Sequence, residues 1–362
     1  MIKRLTITML LVLSYLSASA QVATPLLDRT MKVQSSAAAG WRDKSTVGLQ
    51  AFSATGKVKA DSFELGEVEI GGSIPAVLAA FKGEAIGLEL FVSTDTTKKV
   101  DLNIPIATGI PNQAVKTEQK LPENRLNLAY VFGEALSVGL GYRLNETKEE
   151  QTISGSLILP VLGAIPLSSP VTSVDGKETE TGLMVSASLK LADIFYVAGG
   201  MENVDIKKSS DIGSDSVDNA WTNTIVGLGL LVGDPGESRF RVEYAIIQSP
   251  ESVKAAETGK TAHSHYKTDY NTMSLEAQFG DVLLSYISET SKYDIADSGL
   301  DLDALDDEEK VQITLFGAGW MPEEGLIVSA YMWNAKTTKS LTDGTEITFE
   351  PKGYRVNLGW NF

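Results

Sequence analysis

The last eleven residues constrain the chain more than any other stretch. From Lys352 to Phe362, the residues Tyr354, Val356, Leu358, Trp360 and Phe362 alternate without a break with Gly353, Arg355, Asn357, Gly359 and Asn361. Alternation of this kind puts successive side chains on opposite faces of an extended strand. One face is then apolar and rich in aromatics, and the other is polar. The pattern recurs upstream. Leu136, Val138, Leu140, Tyr142 and Leu144 alternate with Ser137, Gly139, Gly141, Arg143 and Asn145. Leu183, Val185, Ala187 and Leu189 do so around 183–190, Phe240, Val242, Tyr244 and Ile246 around 239–246, and Asn271, Met273, Leu275, Ala277 and Phe279 around 270–279. Beyond the first twenty residues no stretch approaches the roughly eighteen uninterrupted apolar residues of a spanning helix.

A terminal strand that closes on an aromatic at its last residue resembles the C-terminal signature of Gram-negative outer-membrane β-barrels. That resemblance implies recognition by the barrel-insertion machinery and contact with outer-membrane lipid and lipopolysaccharide. Segments of about ten residues, apolar toward lipid and polar toward a lumen, are what a membrane barrel requires. The fold class expected is therefore all-β: a closed antiparallel transmembrane β-barrel. Approximate strands are read at 45–54, 62–70, 86–94, 124–132, 135–147, 179–190, 194–206, 219–232, 238–248, 268–279, 282–292, 309–320, 325–338 and 352–362. This gives about 14 strands, with 12 as the alternative even count. In 62–70 the apolar phase slips between Leu65 and Val68, and the faces of 194–206 and 282–292 are unassigned. Short turns at Gly133-Glu134, Leu191 to Asp193, Gly233 to Glu237, Gly280-Asp281 and Pro322 to Gly325 alternate with long polar loops. In bacterial barrels the short turns are periplasmic and the long loops extracellular, which puts both termini in the periplasm.

Residues 1–20 read as a signal peptide, with Lys3 and Arg4 ahead of a short apolar run and Ala18-Ser19-Ala20 as the cleavage site. Residues 21–44 are expected to be a periplasmic N-terminal segment too short for a plug domain, and 45–362 the barrel. The absence of cysteine excludes disulfides, thiolate metal sites and catalytic thiols. The net charge of -16 becomes -18 once Lys3 and Arg4 are removed. With no basic cluster, nucleic acid is not an expected partner.

By phase, Arg125, Arg143, Lys190, Arg239, Arg241 and Arg355 point into the lumen with Glu89, Glu243 and Glu276. They read as pore-lining residues in a somewhat basic lumen, either a mixed-charge constriction or structural ion pairs. On the last strand, Tyr354, Val356, Leu358, Trp360 and Phe362 are expected to face lipid. A charge at Leu358 should be costly there, and one at Asn357 tolerated. His263 and His265, the two histidines, lie in a predicted loop, and two ligands without a third make no metal site. The acidic run from Asp297 to Glu309 lacks the calcium-loop spacing and reads as a solvated loop. Neither a metal nor a cofactor is expected, and with no convincing general base no enzyme is expected either.

The function expected first is a porin-like channel for passive diffusion of small hydrophilic solutes. Three segments, 71–81, 102–115 and 153–171, are unusually apolar for outer loops. With the strand count they give the chain an architectural likeness to the long-chain fatty acid transporter family, although an equivalent of that family's N-terminal hatch and Asn-Pro-Ala stretch is missing. The likeness implies uptake of hydrophobic compounds as the alternative. A third possibility is a closed barrel with a structural or surface-interaction role, which an N-terminal segment filling the lumen would favour.

Overall fold

The computed structural model describes residues 36–362 except 43, 62, 105–111, 160–162, 168, 192–193, 211–216, 234–236, 250–251, 258–259, 299–306 and 341–345. The expected signal peptide lies outside the described residues. A short 3-10 helix, Ser36–Trp41, precedes nineteen strand segments. These are β1 (Thr46–Ala60), β2 (Phe63–Gly71), β3 (Ala76–Lys82), β4 (Ile86–Ser93), β5 (Thr97–Ile104), β6 (Gln113–Lys120), β7 (Glu123–Phe132), β8 (Leu136–Leu159), β9 (Gly163–Pro166) and β10 (Val171–Leu191). They continue with β11 (Phe195–Ser210), β12 (Val217–Val232), β13 (Ser238–Ser249), β14 (Ser252–Glu257), β15 (Lys260–Phe279), β16 (Val282–Ser298), β17 (Asp307–Trp320), β18 (Gly325–Ser340) and β19 (Glu346–Asn361).

The segments form a closed antiparallel barrel of 14 staves. Four staves are interrupted: β2 with β3, β4 with β5, β6 with β7, and β13 with β14. Strand β9 is an extra hairpin partner at the tip of β8. Closure is between β19 and β1, in one unbroken register from Thr46↔Asn361 to Ala60↔Ile347. Gly133 and Gly280, at φ 60 and 57, occupy two of the tight turns, where an L side chain would be strained.

Near the short turns the outer face is apolar on every stave. Leu136, Val138, Leu140 and Tyr142 of β8 are exposed there, as are Leu326, Val328 and Met332 of β18 and Tyr354, Val356, Leu358, Trp360 and Phe362 at the C-terminus. Aromatics mark both borders of this belt: Phe132, Phe240, Phe279, Trp320 and Trp360 near the turns, and Tyr142, Tyr244 and Tyr354 at the far edge. A belt of this kind, roughly 25 Å tall, is the lipid-facing surface of a membrane barrel. Many staves continue beyond it; β8 is 24 residues long in all. Their outer face there becomes charged, with Lys57, Glu67, Lys99, Lys116, Glu146, Lys148 and Glu350 exposed.

The structure corrects the reading of the second stave. Its membrane half is Ala76–Lys82, inside the segment expected to be an apolar loop, and Phe63–Gly71 is its extramembrane half. Between Gln50↔Ala76 and Ser53↔Gly71, β1 advances three residues while its partner stave advances five, so the wall bulges at 72–75. The phase slip near Leu65 is a second irregularity, where the register with β1 shifts between Val58 and Lys59. The neighbouring staves break at the same height. Asp95 closes the seam by accepting hydrogen bonds from the Ser73 and Ile74 amides (2.7 and 2.9 Å) and the Ser73 hydroxyl (2.6 Å). Pro122, which has no amide donor, ends the pairing on the fourth stave. The two ends of the apolar segment 102–115 likewise belong to the paired strands β5 and β6, while 105–111 lie outside the described residues.

Candidate functional site

The lumen of the short-turn half is mostly polar, apart from an apolar cluster of Leu78, Ala80, Leu283, Met321 and Ile327, and the N-terminal segment lies within it. Residues 36–42, placed in the periplasm by the sequence reading, are buried against the inner faces of β4, β7, β8 and β10. Small residues make this possible. A Cβ on Gly87 would lie 1.8 Å from the Ala39 carbonyl oxygen, and one on Gly139 would lie 2.3 Å from the Ala37 nitrogen. Serines of the wall hold the backbone. The Ala37 amide donates to Ser186 Oγ (2.8 Å), Ser137 Oγ donates to the Ala37 carbonyl (2.8 Å), and the Trp41 indole N–H donates to Ser188 Oγ. Arg42 then pairs with Glu89 at 3.0 Å, with both side chains almost wholly enclosed, and Asn127 donates to the other Glu89 oxygen at 3.3 Å.

All the residues read as inward sit on the inner face, and most are engaged with carboxylates. Arg125 pairs with Glu123, Arg143 bridges Glu180 (2.8 Å) and Glu202 (3.2 Å), and Arg241 pairs with Glu276. Arg239 and Glu243 are buried, and Lys190 is half-buried beyond Ser186 and Ser188. Glu123, Glu180, Glu202 and Glu289 also face inward, so among the described residues acids stand close to most of the inward arginines. Glu180 was legible, since it shares the phase of Lys190. Glu289 was not, because 282–292 alternates weakly, and neither was Arg42, which precedes the first strand. Asn357 is fully buried, donates to Ser329 Oγ (2.9 Å) and accepts from Gln50 Nε2 (3.1 Å). An arginine there would have to give up both hydrogen bonds and displace the buried surroundings, which counts against the tolerance expected at this position.

Arg355 differs from the other inward arginines. It is 4% exposed, and neither Nε nor Nη1 has a hydrogen-bond partner. Its Cζ lies 5.6 Å from the centre of the Phe52 ring. Around it an apolar wall of Ala54, Ile287, Val311, Ile313, Leu315, Tyr331 and Trp333 begins.

Farther from the turns the inner face is no longer polar. Val58, Leu65, Val68, Ile70, Val100, Leu102, Ile104, Val115, Ile347 and Phe349 form one buried apolar cluster across β19, β1, β2, β5 and β6. Polar residues border it: Lys98, Gln113, Thr117 and Gln119 on one side and Thr337 and Lys339 on the other. Polar phases were expected to face the lumen; among the described residues this holds mainly in the short-turn half, and farther out the inner face is mixed with a large apolar cluster. His263 and His265 lie on β15 rather than in a loop, with side chains outside the described residues. The acidic run is split between the ends of β16 and β17 and residues 299–306, also outside them. Among the described residues no group of three potential metal ligands occurs.

Closed staves, an apolar outer belt and charged ends define the class: an outer-membrane-type transmembrane β-barrel. The fold is that of the FadL-type transporters. A Pseudomonas aeruginosa FadL homologue superposes with a TM-score of 0.53 at 12% identity, over 95% of this chain and 96% of that one. The Pseudomonas putida toluene transporter TodX gives 0.54 at 11% identity, over 91% and 92%. No family model and no curated protein matches the sequence.

Proposed function

We propose that this chain is an outer-membrane channel for small hydrophobic compounds. The observation that carries the reading is the apolar inner face from Phe349 to Val115. A conduit for hydrophilic solutes requires polar groups along its length, whereas an apolar lining binds apolar solutes by removing their surface from water. In this reading the bulge at 72–75, at the outer edge of the lipid belt next to exposed Ile74 and Val77, is where such a solute would reach the bilayer once the Asp95 hydrogen bonds that bridge it open. The TodX structures of this fold carry the descriptions toluene transporter and monoaromatic hydrocarbon channel. In this reading the short turns and both termini are periplasmic, and the charged stave ends contact lipopolysaccharide. The C-terminal strand is what the insertion machinery recognises, and no catalytic role is assigned.

The docking of residues 36–42 favours a second reading, a closed barrel without transport. One experiment separates these readings and the hydrophilic one. Cells carrying the chain are compared with cells lacking it for uptake of a naphthalene-type dye and of a small sugar. The channel for hydrophobic compounds accelerates the dye, and Val68→Glu with Leu102→Glu suppresses that gain. Faster sugar with unchanged dye establishes the hydrophilic porin, and neither gain establishes the closed barrel.

A further inference from the structure

We infer that Arg355, Trp333 and Glu289 form a recognition site for a neutral hydroxylated aromatic compound, an inference that rests on the hydrophobic-channel reading. Arg355 and Trp333 both lie against the Phe52 ring, and Glu289 is within electrostatic range of Arg355, where the polar lumen gives way to the apolar one. Arg355 on β19 opposes Tyr331 on β18, and Trp333 follows two residues later on the same face. The Trp333 indole N–H is buried and, like Arg355 Nε and Nη1, has no hydrogen-bond partner, whereas the buried Tyr331 hydroxyl lies beside Ser329. Glu289 on β16 is 2% exposed. It interacts electrostatically with Arg355 without forming an ion pair, and the Tyr270 hydroxyl approaches it, although neither carboxylate oxygen makes a hydrogen bond of ordinary geometry. Buried polar groups are almost always satisfied, so an unpaired donor set beside an unpaired acceptor calls for an occupant.

The chemistry of that occupant follows from the groups around it. Phe52 and Trp333 meet edge to face at 5.4 Å with an interplanar angle of 87°. Together with Tyr331 they offer ring faces and edges, which favours an aromatic body. Arg355 and the indole N–H only donate, whereas Glu289 accepts, so the head must both accept and donate, as one hydroxyl does. A carboxylate head does not suit the site. Glu289 already balances Arg355, and a second anion would be enclosed among apolar walls without a counter-charge. An unsubstituted hydrocarbon would leave every polar atom unpaired.

The test uses the full chain refolded into lipid vesicles and three ligands of similar size: p-cresol, toluene and p-toluate. Binding is read by tryptophan fluorescence and calorimetry. The expected result is p-cresol on the order of tenfold or more tighter than either of the others, as for a pocket built around a hydroxyl. In R355M and W333F the p-cresol to toluene ratio should fall toward one. Equal binding of all three, or toluene strongest, overturns the inference and leaves the hydrophobic channel standing. Toluate strongest overturns it in favour of an anionic head. Failure of all three to bind removes the site and the channel reading together. A ratio unchanged in both variants also overturns it, since the hydroxyl is then read elsewhere. If neither variant refolds, as judged by heat-modifiable gel mobility, the ranking of the three ligands by the wild-type chain still decides.

Discussion

At one end of β19, Tyr354, Val356 and Leu358 face out while Arg355 and Asn357 face in; at the other end, Ile347 and Phe349 face in while Glu346 and Glu350 face out. The pairing with β1 passes between the two ends without a shift. The faces of the strand therefore never change; only the chemistry assigned to each face does. Near the turns the outside is hydrocarbon, so apolar residues go out and polar ones must find partners within. Beyond the membrane the outside is water, and the ordinary rule of an apolar interior returns. A reader following hydrophobicity alone sees the apolar phase move by one residue near Gly353 and takes it for a loop. That is the origin of the apolar loop expected at 102–115, whereas at 71–81 the bulge at 72–75 hides the membrane half of a stave.

Four substitutions test this division, from the largest effect to the smallest. Arg42→Met leaves Glu89 enclosed without its counter-charge, and breaking a buried pair in this way costs about 3–5 kcal/mol. The loss should show as protease cleavage within residues 36–44 of the folded barrel, and an uncut segment would contradict it. Leu102→Ala removes a side chain 2% exposed in the inner apolar cluster, with an expected loss of about 2–5 kcal/mol in urea unfolding. A small loss would mean that the extramembrane wall is loosely packed. Leu358→Arg puts a charge in the lipid belt at a cost on the order of 2–4 kcal/mol, read by refolding yield and heat-modifiable mobility. If it folds as the parent does, the belt has been placed wrongly on β19. Lys57→Met breaks an ion pair of nearly the same length as Arg42–Glu89, 2.9 against 3.0 Å. Because Lys57 and Glu64 are exposed, the unfolding midpoint should not move, since such pairs contribute little in water. A clear shift would mean that the charged outer wall acts as a cooperative network.

The sequence by itself determined the alternation, the turn positions and the faces of the strands, because a period of two is a property of the backbone and survives any environment. It therefore carried the antiparallel barrel, the inward placement of Arg143, Arg241 and Arg355, and the outward placement of Leu358 and Trp360. Tertiary structure alone decided three things. The first is which medium each stretch of a stave meets, because the membrane cuts across all staves at one height and not at one sequence position. The second is the docking of residues 36–42 on Gly87 and Gly139, because a groove of small residues exists only once four staves stand side by side. The third is the pairing of the lumen charges: Arg143 meets Glu180 and Glu202 across strand neighbours while Arg355 has no ion pair, and closure of the barrel sets those distances.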